Sequence, residues 1–133
     1  MTEKRVTCAV ILRDGKALLA RRAPGEKHAG LWEFPGGKVN PGETDEACLA
    51  REIWEEFGVK GSAQAHLCDS EHAYGELDLR ITLCAYLFLP ESLAFERRVH
   101  DMIGFFTAEE MAALPLSLAD IPIAARVAEL LIA

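Results

Sequence analysis

Glu52, Glu55 and Glu56 fall within one turn of a stretch, residues 44–57, whose pattern reads as a helix. Residues three and four apart on a helix are neighbours, about 5–6 Å between Cβ atoms, so these carboxylates share a face. Like charges packed that closely repel and weaken the helix unless a cation sits among them. Magnesium or manganese suits such a set, because hard divalent ions take oxygen ligands and keep water in their remaining positions. A solvated acidic face has the same residue pattern, so the flanking residues must decide between the two. At 100° per residue, Ala47, Ala50, Trp54 and Phe57 fall opposite the carboxylates and are expected to form the buried side.

The elements that must position this helix are legible on both sides of it. Val6 to Arg13 and Lys16 to Arg22 are apolar, strand-forming runs joined by Asp14-Gly15, a dipeptide suited to the positive φ angles of a tight hairpin. Ala23 to Gly30 reads as a loop and Leu31 to Phe34 as a short strand that Pro35-Gly36-Gly37 breaks. After Pro41-Gly42 the helix is expected to start at an N-cap, Thr44, with Asp45 and Glu46 in its first turn and Gly58 as C-cap. Ser62 to Ala73 and Leu77 to Pro90 are longer strands around Tyr74-Gly75, followed by a polar connection and a last strand, Met102 to Phe106. Thr107 and Glu110 form a capping box opening a short helix that Pro115 ends, and a final helix starts near Asp120. Strands around one central helix, then a C-terminal helix, predict an α/β arrangement: a mixed sheet between helices on both faces.

The 133 residues suit a single domain spanning 1–133 with a real core, half of them hydrophobic. A balance of 14 Lys plus Arg against 21 Asp plus Glu gives net charge −7 and opposes duplex nucleic acid or an anionic membrane as partner. Cys8, Cys48, Cys68 and Cys84 lie far apart and read as small buried hydrophobes. His28, His66, His72 and His100 have no metal-binding spacing and receive no catalytic role. No run approaches the roughly 20 apolar residues of a membrane span, and the expectation is a cytoplasmic protein, monomer or homodimer.

Gly37, five residues, Glu43, seven residues, then Arg51-Glu52-Ile53-Trp54-Glu55-Glu56-Phe57-Gly58-Val59 resembles, at every position, the Nudix box G-x5-E-x7-R-E-U-x-E-E-x-G-U, with U aliphatic. With each fixed residue at about one position in fifteen, a chance match is on the order of 10⁻⁸ per start. Ala29 to Lys38 before the box, and Leu116-Ser-Leu-Ala-Asp-Ile-Pro122 after it, are similar to the MutT-like and CTP pyrophosphohydrolase-like subgroup. This resemblance implies the Nudix α/β/α sandwich and metal-dependent cleavage of a nucleoside triphosphate to a monophosphate and pyrophosphate, a sanitising activity linked to DNA repair. A triphosphate is itself anionic, so an acidic helix engages it through metal ions.

Carried over residue by residue, Glu52, Glu55 and Glu56 with the Gly36 carbonyl would ligate Mg²⁺ or Mn²⁺. Glu52 is the expected general base, with Glu56 as the alternative. Arg51 would turn off the metal face to hold a carboxylate, supported by Glu43. Arg22 and Lys38 would meet phosphates, while Glu33, Phe34 and Asp120 would line the nucleoside pocket. Two departures stand out. The further acidic ligand of MutT-type proteins falls on Val99, with Glu96 or Asp101 as substitutes only if the loop shifts. Asp120 replaces the Asn of guanine-specific members: an ionised Asp only accepts, from a cytosine amino group or the N–H groups of an oxidised guanine, and it also suits a helix N-cap. The substrate therefore stays open between 8-oxo-dGTP and CTP, dCTP or 5-methyl-dCTP. A non-catalytic nucleotide- or lesion-binding module predicts lost box carboxylates or a basic face, and an enzyme for nucleotide sugars or ADP-ribose predicts additional recognition elements; the sequence has neither.

Overall fold

Asp14 and Gly15 take φ angles of 51° and 77°, and the chain reverses there as a tight hairpin. In the computed structural model residues 2–132 are described. In order they form β1 (Thr2–Val10), β2 (Leu12–Arg13), β3 (Lys16–Arg22), β4 (Trp32–Glu33), β5 (Gly36–Lys38), α1 (Asp45–Phe57), β6 (Gly61–Tyr74), β7 (Leu79–Pro90), β8 (His100–Phe106), α2 (Ala108–Ala112) and α3 (Asp120–Leu131). One sheet runs β5-β1-β7-β6, and in the other β2, β4 and β8 pair with β3. The first is mixed, since β1 lies parallel to β7 from Thr2↔Leu79 to Val10↔Leu87 and antiparallel to β5. The run expected as one strand, Val6 to Arg13, is split at Ile11: its first part belongs to one sheet and its second to the other.

Successive side chains on a strand point to opposite faces, and here the alternation feeds two cores. Cys8, Val10, Ala17 and Leu19 pack with Met111, Ile123 and Val127 of α2 and α3. Ala9, Ile11, Leu18 and Ala20 pack with Leu49, Ile53 and Phe57 of α1. Helices therefore cover both faces of the strands, the sandwich that the element order implies.

Helix α1 buries a different side from the one its alanines and Trp54 suggest. Leu49, Ile53 and Phe57, spaced four apart, are fully buried beside Cys48, whereas Ala47 is exposed and Trp54 is 48% exposed. The branched and aromatic stripe has more apolar surface to remove from water than two alanines, and it takes the core. Trp54 instead stacks under the Lys60 ammonium, 5.7 Å from the ring centre. The caps are as expected: Thr44 Oγ accepts from the Ala47 N–H at 3.1 Å, and Gly58 closes the helix in the left-handed region, φ 67°. Asp45, in the first turn, ties the helix to the sheet by accepting from the Arg5 fork at 2.7 and 2.6 Å and from the Tyr86 hydroxyl at 2.6 Å.

Two further expectations change. Pro35-Gly36-Gly37 does not only break a strand, because Gly36–Lys38 pairs with β1. Asp120 is not the N-cap of α3, since Ala119 holds that position and no side chain caps it. The Asp120 carboxylate points the other way, into the cleft described next.

Candidate active site

The turn between β5 and α1 brings the box onto the sheet at very close range. A Cβ on Gly37 would lie 2.4 Å from Glu52 Oε2, so only glycine lets that carboxylate seat against the strand. On the outer side, Arg51 gathers the neighbouring acids. Its guanidinium donates to Glu43 at 2.7 and 2.9 Å, to Glu52 Oε1 at 2.7 Å, to Glu55 Oε2 at 3.2 Å and to the Lys38 carbonyl at 3.1 Å. The paired hydrogen bonds from Arg51 hold Glu43 down at about 2. Arg51 and Glu43 thus form an ion pair, while Arg51, expected to turn off the metal face, also reaches two of the box carboxylates.

Behind them is a cleft of about 520 Å³. It collects Gly36, Lys38, Glu52 and Glu56 from the box region together with Arg22, Glu33 and Asp120. Lys4 and Lys27 add cations, and Val6, Ile81, Leu83 and Leu118 supply apolar wall. Glu55, more than half exposed, lies outside this lining, and the Phe34 ring is part of the core. What Phe34 contributes is its backbone N–H, which donates to Asp120 Oδ2 at 2.8 Å.

The inner carboxylates have no arginine fork. Burial pushes Glu56 up to about 8, with repulsion from Glu33 and Glu52 adding to it. Asp120, 6% exposed, is raised well above the usual range by burial and then by Glu33, against the Phe34 N–H. Glu52 is raised by burial in spite of Arg51. Arg22 Nη1 lies 3.6 Å from Glu33 Oε2, and its other donors meet Glu26 at 3.4 Å and the Lys27 carbonyl at 3.2 Å.

The donors fit a divalent metal in kind. Glu56 Oε2 is buried with no hydrogen-bond partner, which is costly unless a cation takes it up. The hard oxygens of Glu52, Glu55, Glu56 and Gly36 match what magnesium prefers. Among the described residues, however, no three His, Cys, Asp or Glu side chains converge as they stand, because Arg51 draws Glu52 and Glu55 to itself. Neither proposed substitute for an acid at Val99 reaches the cleft lining. Glu96 accepts from Arg98 at 2.9 and 2.5 Å, and Asp101 accepts the Arg21 fork at 2.8 Å on each oxygen.

Residues 1–127 match the model of the NUDIX domain. The chain belongs to the Nudix family. Within it, the chain is 35% identical over 119 residues to the CTP pyrophosphohydrolase of Escherichia coli, covering 89% of this chain and 86% of that protein. It is 45% identical over 113 residues to putative 8-oxo-dGTP diphosphatase 2 of Mycobacterium tuberculosis, covering 84% and 78%. The solution structure of the E. coli ORF135 protein superposes with TM-score 0.83 at 33% identity, over 98% of this chain and 91% of that one. The protein is accordingly a Nudix hydrolase, and its mixed sheet and helices are those of the Nudix fold. Among the described residues no helix is long and apolar enough to cross a membrane.

Sequence reasoning missed Lys4, Lys27, Tyr74 and Ser117 in the cleft, and it passed over His100, which touches Glu33 at 2.9 Å. The lysines carry no local pattern that distinguishes them from surface cations. His100 and Glu33 lie 67 positions apart and meet only through the pairing of β8 and β4 with β3.

Proposed function

We infer that this Nudix hydrolase is a metal-dependent nucleoside triphosphate pyrophosphohydrolase that removes oxidised or modified nucleotides such as 8-oxo-dGTP. One observation carries the reading: a single cleft holds Glu52 and Glu56 near four cations, Lys4, Arg22, Lys27 and Lys38, and also holds the paired acids Glu33 and Asp120 beside an apolar wall. The cations suit a polyphosphate, the apolar wall a base, and the two acids its polar edge. The names of the relatives, a CTP pyrophosphohydrolase and a putative 8-oxo-dGTP diphosphatase, agree with a nucleoside triphosphate.

Glu52, Glu55, Glu56 and the Gly36 carbonyl are the groups that would hold Mg²⁺ or Mn²⁺. Such an ion, when bound, acidifies water and offsets charge on phosphate oxygens. Glu52, raised by burial yet held by Arg51, takes the proton from the attacking water as that water's oxygen bonds to phosphorus. The phosphoanhydride bond then breaks and pyrophosphate leaves with the electron pair. Lys4, Arg22, Lys27 and Lys38 orient the phosphate chain, and Arg51 and Glu43 hold Glu52 in place.

At the base end, burial and then Glu33 push the Asp120 carboxyl well above the usual range. Oδ2 accepts from the Phe34 N–H, and a carboxyl that holds its proton on Oδ1 donates and accepts as an amide does. It suits adjacent donor and acceptor groups on an oxidised guanine. It also suits the N4 amino group and N3 of cytosine, so CTP, dCTP or 5-methyl-dCTP is the second reading, favoured by the E. coli relative. The test is kcat/KM with Mg²⁺ for 8-oxo-dGTP, dGTP, CTP and 5-methyl-dCTP. The first reading expects 8-oxo-dGTP to exceed dGTP by at least about tenfold, one good polar contact. A preference for a cytosine nucleotide selects the second, and no hydrolysis of any sinks both.

A further inference from the structure

His100 opens β8 with its side chain fully shielded from solvent, yet only one ring nitrogen has a partner among the described residues. Nε2 lies 2.9 Å from Glu33 Oε2, while Nδ1 is buried without a hydrogen bond. An ionised carboxylate only accepts, so the proton between the two belongs to Nε2. Nδ1 is then a bare lone pair, which costs less in an apolar setting than an N–H with no acceptor. The ring lies flat on Phe57 of α1, centroids 5.1 Å apart and planes 15° apart, so it has one orientation from which to donate.

Glu33 faces a competing cation. Arg22 Nη1 lies 3.6 Å from the same Oε2. Without the imidazole, the carboxylate would be drawn further toward Arg22 and away from the base end of the cleft. We propose that His100 is a positioning residue for nucleotide selection: its Nε2–H anchors Glu33 Oε2 at the back of the cleft, leaving Oε1 to the nucleobase. This rests on reading the cleft as a nucleoside triphosphate site. His100 itself, with no exposed side-chain surface, touches no substrate.

The experiment compares wild type, His100→Phe, His100→Gln, Glu33→Ala and the His100→Phe/Glu33→Ala double variant on the best nucleotide with Mg²⁺. Phe keeps the stack on Phe57 without the donor, and Gln restores a donor near the position of Nε2. His100→Phe is expected to raise KM about tenfold, the scale of a hydrogen bond to a charged group, with kcat within about threefold. His100→Gln recovers most of the loss, and His100→Phe adds nothing when Glu33 is already Ala. Equal effects of His100→Phe in both backgrounds, a loss confined to kcat, or no recovery with Gln would overturn the proposal. A second measurement needs neither catalysis nor a folded His100 variant: side-chain ¹⁵N NMR of wild type and Glu33→Gln. It is expected to find His100 protonated at Nε2 alone, with that signal moving in Glu33→Gln more than those of His28, His66 and His72. Protonation at Nδ1, or no response to Glu33→Gln, contradicts it. If wild type hydrolyses no nucleoside triphosphate, the functional reading fails and the NMR result alone decides the anchoring of Glu33.

Discussion

The molecule holds two groups of acids whose surroundings act in opposite directions. On the outer side, Arg51 binds Glu43, Glu55 and the cleft-lining Glu52, and Glu43 is held down at about 2. Inside, burial pushes Glu56 up to about 8 and Asp120 well above its usual range, and repulsion from Glu33 adds to both. The outer group is stable as it stands. The inner group is costly without a ligand, which is where binding and chemistry are expected. Residue type is the same in both; the distance to an arginine and the access of water make the difference.

The largest effect should come from the carboxylate shared between the two groups. Glu52→Gln is expected to lower kcat by roughly 10²–10⁴ as a general base, measured at saturating nucleotide and Mg²⁺; a loss below about tenfold removes Glu52 from that role. Arg51→Lys comes next. A single ammonium cannot span Glu43, Glu52 and Glu55 as the guanidinium does, so activity should fall about 10- to 100-fold, with more Mg²⁺ needed for half-maximal rate. An unchanged Mg²⁺ dependence would mean that Arg51 does not organise the box carboxylates.

Smaller effects should appear in stability, with opposite signs for the two groups. A carboxyl raised above its ordinary value near 3.9 binds its proton more tightly folded than unfolded, so its contribution declines as pH rises through the interval above that value. Asp120→Asn removes this slope while an amide oxygen still accepts from Phe34, so the variant's Tm should match wild type near pH 4 and exceed it by several degrees at pH 8. Equal melting curves at pH 8 would show that Asp120 is not held above its ordinary range. Glu43 runs the other way: its contribution is present above about 4.3 and lost as pH falls toward about 2. Glu43→Gln should lower Tm by no more than about 3 °C at pH 7, with the difference shrinking below pH 4.

Much of the outer group was legible in the sequence because it is local. Glu43, Arg51, Glu52 and Glu55 lie within one turn-and-helix unit: helix spacing pairs Arg51 with Glu55, and the resemblance pointed to Glu43 and Glu52. The Thr44 and Gly58 caps, the Asp14-Gly15 hairpin and the Thr107–Glu110 capping box follow from equally short-range chemistry. Where two local patterns competed, the reading was right only in part: of the expected Ala47-Ala50-Trp54-Phe57 side Phe57 is buried, but the Leu49-Ile53-Phe57 stripe, with more apolar surface than the alanines, takes the core. The inner group is non-local. Asp120 meets Phe34 across 86 residues and His100 meets Glu33 across 67, through strand pairing that no short window contains. The resemblance pointed to Glu33 and Asp120, but their raised or anchored states depend on burial that only the fold supplies.

On the proposed reading the box breaks the bond and the inner wall chooses the nucleotide. The ratio of kcat/KM for 8-oxo-dGTP over CTP in wild type, Glu52→Gln and Asp120→Ala tests this division. Glu52→Gln should lower both values and leave the ratio within about threefold of wild type, while Asp120→Ala, which removes donor and acceptor alike, should change the ratio by about tenfold or more. A ratio that moves with Glu52→Gln, or stays fixed with Asp120→Ala, would contradict it.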